Sequence, residues 1–252
     1  MKYISILPTK FIPQVEFSPD KKTLVLAHLI EKGNIYQKAC LEFKKQSGEL
    51  WLDNSFYELR GNMSIEMLTH KAKLIDADVV CLPDLPLRFN LKFIIESTIL
   101  KMRRLGYKGK FMMCVFANNK DFKEDLQQFE ILNSIKELNI IATPYVFRAG
   151  DEFKRPEFLD LIEKKVGVKN ITKQIHLFGL NSIKNLKKEN RPWISSIDGT
   201  MPFKCGYAKK KLPLSIAAEP KRPKNYFELD KLDKEQKECI DYNLNFIKEL
   251  CK

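Results

Sequence analysis

Eight short apolar runs, separated by stretches with a helical period, constrain the fold of this chain more than any other feature. Each run is rich in β-branched or aromatic residues, which is typical of strands buried on both faces of a parallel sheet. The runs are 2–6, 24–29, 49–53, 78–82, 110–116, 140–147, 174–179 and 193–198. Eight such units predict an α/β protein with a closed (β/α)8 barrel of the TIM type. The alternative is an open doubly wound sheet, but the Gly-rich first turn that usually accompanies it is absent.

The length of the chain fits this fold without a second domain. A (β/α)8 barrel takes roughly 250 residues, and the chain has 252. We therefore predict one domain over 1–252, in which residues 199–230 show no clear period and 233–250 form a closing helix capped by Asp233. No apolar run reaches the ~18 residues that a membrane span needs, and the N-terminus lacks the pattern of a signal peptide. The expectation is a soluble cytoplasmic protein.

Polar residues that end the predicted strands are the candidates for a site, because a barrel of this type carries its chemistry at the carboxyl ends of its strands. Aspartates end three of the runs: Asp53, Asp84 and Asp198. Asn118 and Arg148 follow the fifth and sixth runs. Carboxylates that converge on one mouth push their pKa values apart, which divides acid, base and nucleophile roles among them. The alternative is that each aspartate only caps the helix that follows it.

Metal and cofactor motifs are absent from the sequence. The six cysteines include no C-x2-C pair, and none lies at ligand spacing from a histidine, so we expect no structural zinc site and no metal. There is no G-x-x-x-x-G-K-[ST] and no G-x-G-x-x-G, and we expect no cofactor. His176 lies inside the seventh run and is predicted to be a hydrogen-bonded barrel histidine rather than a catalyst.

Basic charge is concentrated after the eighth run. The chain has a net charge of +12, which suggests a polyanionic partner. We call residues 203–224 the basic segment, because they hold seven basic residues and one acidic residue. Phe203 and Tyr207 lie in it and are predicted to be able to stack on bases. The candidates for nucleic-acid contacts are Lys204, Lys209, Lys210, Lys211, Arg222 and, outside the segment, Arg148. The alternative is a solvated, lysine-rich loop.

Four motifs in order resemble one enzyme family. They are residues 52–58 (LDNSFYE), 79–84 (VVCLPD), 176–180 (HLFGL) and 196–202 (SIDGTMP). Together they resemble the tRNA-guanine transglycosylases, and more closely the short phage relatives that insert 7-deazaguanine bases into DNA. The resemblance covers about residues 49–205. It implies a barrel enzyme that exchanges guanine in a nucleic acid for a free 7-deazaguanine base.

The resemblance also implies roles for individual residues. Asp198 is similar to the nucleophile that forms a glycosyl-enzyme intermediate, as in retaining glycosidases. Asp84 is similar to the aspartate that reads the Watson–Crick edge of the base, and Asp53 to the one that binds the base and transfers protons. The further base-binding candidates are Asn118, Gly179 and Leu180.

The chain departs from the family after the last strand. The tRNA enzymes carry a zinc module with clustered cysteines there, and this chain has the basic segment instead. DNA is therefore the expected partner together with a free base such as 7-cyano-7-deazaguanine, tRNA is less favoured, and a phage-encoded protein would act in the host cytoplasm. The other functions left open are a tRNA-guanine transglycosylase, a nucleoside deoxyribosyltransferase or base glycosylase, and a non-catalytic nucleic-acid-binding barrel.

Overall fold

Eight parallel strands close into a barrel in which each strand pairs with its neighbours in sequence and β1 pairs with β8. The computed structural model of the protein describes residues 1–116, 122–144, 154–180, 182–215 and 218–252. The strands are β1 (Lys2–Ser5), β2 (Lys22–Leu26), β3 (Glu49–Asp53), β4 (Val79–Cys81), β5 (Lys110–Cys114), β6 (Ile140–Thr143), β7 (Gln174–Leu177) and β8 (Ile194–Gly199). This confirms the predicted (β/α)8 fold.

Helices surround the barrel. In the described residues they are α1 (Ile35–Lys45), α2 (Phe56–Leu59), α3 (Ile65–Leu74), α4 (Leu91–Arg104), α5 (Lys123–Ser134), α6 (Arg155–Lys165), α7 (Ile183–Glu189), α8 (Met201–Tyr207) and α9 (Lys234–Leu250). In α4, Leu91, Ile95, Ile99 and Met102 are buried, and their spacing places them on one face against the sheet. No helix in the described ranges is both long enough and apolar enough to cross a membrane.

Side chains fill the inside of the barrel, because every second residue of a strand points to the same face of the sheet. The buried cluster there is Ile4, Leu24, Trp51, Val79, Cys81, Met112, Cys114, Ile140 and Ala142. These residues come from the first six strands at alternate positions. The last two strands contribute polar inward side chains instead. The interior of the barrel is therefore apolar along β1 to β6 and polar along β7 and β8.

A β-bulge in β8 sets which of its side chains face the barrel. Ile175 pairs with Ile194 but His176 pairs with Ser196, so Ser195 is an extra residue in the register. Ile194 and Ile197, three apart, both pack in the outer core between the sheet and the helices, which a regular strand would not allow. Because of the bulge, Asp198 lies on the inner side, where it pairs with the inward-facing Ile4 of β1.

Two details of the sequence prediction need correction. The run 24–29 was expected to be one strand, but β2 ends at Leu26 and residues 27–29 form a 3-10 turn. Residues 199–230 were expected to lack a period, but they contain α8. A Cβ on Gly206 of α8 would lie 2.4 Å from Ile240, so the glycine permits close packing of α8 on α9. The closing helix itself was predicted, and Asp233 caps it with a full capping box.

Candidate functional site

A cavity of about 450 Å³ opens among the carboxyl ends of the strands. This volume is within the range of small-molecule sites. The described residues that line it are Ile6, Leu24, Leu26, Asp53, Asn54, Phe56, Tyr57, Glu58, Cys81, Asp84, Cys114, Val115, Phe116, Pro144, Phe178, Gly179, Asp198 and Arg222. All three predicted aspartates are among them, so the structure brings them to one site with apolar and aromatic walls.

Asp198 is the most deeply buried of the three, with 2% of its surface exposed. Its Oδ1 accepts a hydrogen bond from the Gly179 N–H at 3.0 Å and contacts His176 Nε2 at 3.0 Å. Among the described residues, these hydrogen bonds end on Oδ1, and no partner holds Oδ2. One oxygen of the carboxylate is therefore fixed, and the other is left for a ligand, since Asp198 lines the cavity.

His176 orients this carboxylate from inside the barrel. Its Nδ1 lies 2.9 Å from Ser196 Oγ. An ionised carboxylate only accepts hydrogen bonds, so Nε2 carries the proton, and the serine hydroxyl donates to Nδ1. His176 is thus a hydrogen-bonded barrel histidine, as predicted. Its contact with Asp198 was not predicted, although the HL…SxD pattern of two adjacent strands holds all three side chains.

Asp53 ends β3 and carries a strongly perturbed carboxyl. Burial, together with the nearby charge of Glu58, raises the pKa of Asp53 to about 8, and the hydrogen bond from the Ser55 N–H opposes the shift. The charges of Asp84 and Asp198 contribute in the same direction as burial. At neutral pH Asp53 is therefore mainly protonated and can donate a proton.

Asp84 stays closer to an ordinary carboxylate. Burial raises the pKa of Asp84 to about 6, and a hydrogen bond from the Asn54 amide opposes the shift. Asn54 Nδ2 lies 3.2 Å from Asp84 Oδ1 and 2.7 Å from the Leu82 carbonyl. Asn62 bonds both the N–H and the C=O of Asp84. At neutral pH Asp84 is mainly ionised, which makes it an acceptor for donors on a ligand.

The capping alternative explains none of the three aspartates, because the helices that follow them have Ser55, Asn90 and Thr200 as their N-cap residues. Asp53 Oδ2 accepts the Ser55 N–H at 3.1 Å, which is a local turn contact. Asp198 instead binds back to β7, and Asp84 receives a bond from the loop after β3. The Asn54 and Asn62 contacts were missed by sequence reasoning, since nothing in the spacing of these residues indicates which loop they will bind.

Two buried thiols, Cys81 and Cys114, lie between the aspartates in the lining of the cavity. Burial raises the pKa of each well above the usual value, and the charges of Asp53 and Asp84 act in the same direction. The thiols therefore stay protonated, and since the thiolate is the reactive form, the carboxylates are the candidate nucleophiles among the described lining residues.

The other predicted base-binding residues divide into three cases. Gly179 lines the cavity. The N–H of Leu180 is bound to the Asp198 carbonyl at 2.7 Å, so that donor is already used, and Leu180 is not among the described lining residues. Asn118 lies outside the described residues, as does Arg148.

The basic segment contacts the cavity at one described residue, Arg222, whose guanidinium lies 5.6 Å from the Phe227 ring centroid. Four lysines of the segment have partners within the protein. Lys204 pairs with Glu219, Lys209 with Asp233 and Glu235, Lys210 with the Ala218 carbonyl, and Lys211 lies over the Tyr242 ring.

The expectation that Phe203 could stack on bases is wrong. Phe203 is 2% exposed and packs against Phe11, Phe17 and Tyr226. It belongs to the core beneath α8. The sequence did not reveal this, because the helical period of α8 covers only seven residues.

Comparisons with known proteins do not identify the chain. No protein-family model matches it, and no curated protein is significantly similar to it in sequence. Among the described residues, no group of three histidine, cysteine, aspartate or glutamate side chains is placed to hold a metal ion. The function has to be argued from the cavity itself.

Proposed function

We propose that the protein is a guanine transglycosylase that exchanges guanine in DNA for a free 7-deazaguanine base through a covalent aspartyl intermediate. One observation carries the proposal: a fixed carboxylate, Asp198, and a mainly protonated carboxyl, Asp53, face the same cavity. A nucleophile and an acid placed together in this way are what cleavage of a glycosidic bond with retention requires.

In the first step Asp198 Oδ2 attacks C1′ of the target nucleotide. The C1′–N9 bond breaks, and its electron pair goes to the departing guanine. Asp53 gives its proton to that guanine, which leaves as a neutral base. Because Oδ1 is held by His176 and Gly179, the attacking oxygen is oriented before the sugar arrives, which lowers the entropic cost of reaction.

The second step reverses the first with a different base. The incoming 7-deazaguanine attacks C1′ through N9, the bond between Asp198 and C1′ breaks, and the N9 proton returns to Asp53. Atoms and charge balance over the two steps, with guanine released and no proton consumed. The carboxylate of Asp198 and the acid form of Asp53 are both regenerated.

Asp84 supplies recognition of the base. Guanine and 7-deazaguanine both present N1–H and an exocyclic amine on the same edge, and a carboxylate accepts from both donors. Adenine lacks the N1–H donor. The hydrogen bond from Asn54 to Asp84 Oδ1 fixes the carboxylate for this contact. The aromatic rings in the lining, including Phe56 and Phe116, provide apolar surface for a planar base.

A nucleic acid rather than a free nucleoside is supported by the basic charge of the chain and by two side chains at the edge of the cavity. The net charge of the chain is +12, and Arg222 brings a cation to the cavity edge. Tyr57, at the same edge, is 73% exposed and offers an aromatic face to a base. The target nucleotide has to leave a duplex before it can enter such a cavity.

The test has two parts. Purified protein is incubated with DNA or tRNA and 7-cyano-7-deazaguanine, and the nucleosides are then analysed by mass spectrometry. The adduct is trapped on denaturing gels with wild type, Asp198→Asn, Asp53→Asn and the exposed control Asp230→Asn. Asp198→Asn keeps an oxygen for the two hydrogen-bond donors but cannot attack C1′, so it should form no adduct.

The possible results distinguish the candidate functions. Incorporation into DNA together with loss of the adduct in Asp198→Asn supports the proposal. Incorporation into tRNA alone would assign the tRNA reaction. Abasic sites without incorporation would indicate a glycosylase, and exchange on free nucleosides alone would indicate a deoxyribosyltransferase. Binding without any exchange would indicate a non-catalytic barrel. An adduct with Asp198→Asn but none with Asp53→Asn would make Asp53 the nucleophile.

A further inference from the structure

Arg155 is a buried cation beside the site that the mechanism above does not use. It is the first residue of α6, and its side chain is fully buried. It binds Glu189 at the end of α7 with two hydrogen bonds, of 2.8 and 2.9 Å. Burial of such a pair removes both charges from water, and a well-packed apolar pair would often be as stable. Stability alone is therefore a weak reason for an arginine at this position.

The remaining donors of Arg155 reach the loop after β7. Nη1 donates to the carbonyl of Phe178, and Nη2 donates to the carbonyl of Gly179 at 3.0 Å. The two carbonyls flank the Cα atom of Gly179, and the φ angle of this residue is +75°. Glycine adopts this conformation readily, whereas L side chains rarely do, so Gly179 permits the turn and the two hydrogen bonds from the guanidinium fix the orientation of its peptide groups.

One peptide group connects Arg155 to Asp198. The Phe178 C=O and the Gly179 N–H are the two ends of the same planar amide. Arg155 donates to its oxygen, and its N–H donates to Asp198 Oδ1 at 3.0 Å. Hydrogen bonds in such a chain polarise one another, because electron density drawn to the amide oxygen makes the N–H a stronger donor.

We propose that Arg155 is a positioning residue that acts on Asp198 through the peptide group between Phe178 and Gly179. This inference rests on the proposed role of Asp198 as the nucleophile. The relay holds Oδ1 with a strengthened amide donor and leaves Oδ2 for the attack on C1′. A direct ion pair with an arginine would occupy the carboxylate, whereas the relay keeps the guanidinium, neutralised by Glu189, one peptide away.

The sequence allows this single peptide group to be observed on its own. Phe178-Gly179 is the only Phe-Gly pair in the chain. Labelling with 1-¹³C-phenylalanine and ¹⁵N-glycine therefore produces one directly coupled carbonyl–amide signal. The carbonyl shift reports the bond from Arg155, and the amide proton shift reports the bond to Asp198.

The decisive variant is Arg155→Lys, which keeps the charge but cannot reach Glu189 and both carbonyls at once. We expect upfield shifts of both the Phe178 carbonyl carbon and the Gly179 amide proton, and a roughly ten- to hundredfold slower adduct formation with little change in the KM for the free base. The control is Arg191→Lys, since Arg191 pairs with Asp160 and Glu163 on the outside of α6 and should leave both signals and the rate unchanged.

The outcomes separate this inference from the proposed function. If Arg155→Lys lowers stability but changes neither NMR signal nor the rate, Arg155 is only structural and the inference is wrong. If Arg155→Lys does not fold, Asp198→Asn tests the relay from its other end, and an unmoved Phe178 carbonyl would overturn it. If wild type forms no adduct but both signals shift together, the relay stands and the transglycosylase proposal falls.

Discussion

The raised pKa of Asp53 predicts how the free energy of unfolding depends on pH. In the unfolded chain an aspartate has a pKa of about 3.9, and in the folded protein the pKa of Asp53 is about 8. Between these values the folded state binds more protons, so the free energy of unfolding falls as the pH rises. Asp53→Asn removes the titration and keeps an acceptor for the Ser55 N–H. Its advantage over wild type should grow with pH.

The difference in the free energy of unfolding between Asp53→Asn and wild type can change by at most about 1.4 kcal/mol per pH unit. Between pH 5 and pH 7.5 this gives about 3 kcal/mol. Asp53 is half-buried and faces an open cavity, so water screens the group and about 1–2 kcal/mol is the expected gain. The assay is urea unfolding of both proteins at half-unit steps from pH 4.5 to 8.5.

Two controls make the result specific. Asp84→Asn should gain stability only up to about pH 6, because the pKa of Asp84 is about 6. Asp230→Asn, at an exposed position, controls for the loss of one surface charge. A difference between wild type and Asp53→Asn that stays flat from pH 5 to 8 would refute the argument, since it would mean that Asp53 ionises in the fold as it does in water.

Three further predictions follow from the same contacts. For base exchange, kcat/KM should rise with pH through about 6 as Asp84 ionises and fall above about 8 as Asp53 loses its proton; a flat profile would contradict both roles. Arg222→Gln should reduce the log–log salt slope of DNA binding by roughly 0.9, whereas Lys209→Gln should leave it unchanged, because two α9 carboxylates hold that ammonium at 2.9 Å. Phe203→Ala should lower the free energy of unfolding by about 3–5 kcal/mol, and unaltered stability in urea would argue against its buried position.

The strand ends were the part of the site that the sequence could predict. β3 has the bounds expected from its apolar run, and parallel strands of a closed barrel all end at one mouth. Asp53, Asp84 and Asp198 could therefore be placed together without knowledge of any contact. Local pattern is sufficient here because backbone direction and strand period fix where a strand-end side chain lies.

The partners of those side chains could not be predicted in the same way. The sequence predicts phosphate contacts for the lysines at 209–211, and it gives no sign of the carboxylates, carbonyl and ring that they bind within the protein. Asp84 accepts a hydrogen bond from Asn54 through Oδ1, and its backbone N–H donates to Asn62. Such pairs join segments that come close in space only when the loops pack. Residue type alone does not determine which segments these are.

The inward position of Asp198 shows this division most clearly. The sequence by itself determined that a strand ends there and that an aspartate lies at its end. Which face of the sheet the carboxylate takes depends on the extra residue in β8, Ser195, since a shift of one residue exchanges the two faces of a strand. That shift is set by pairing with β7, where His176 meets Ser196. Only the tertiary structure brings these strands together, and with them the histidine that orients Asp198.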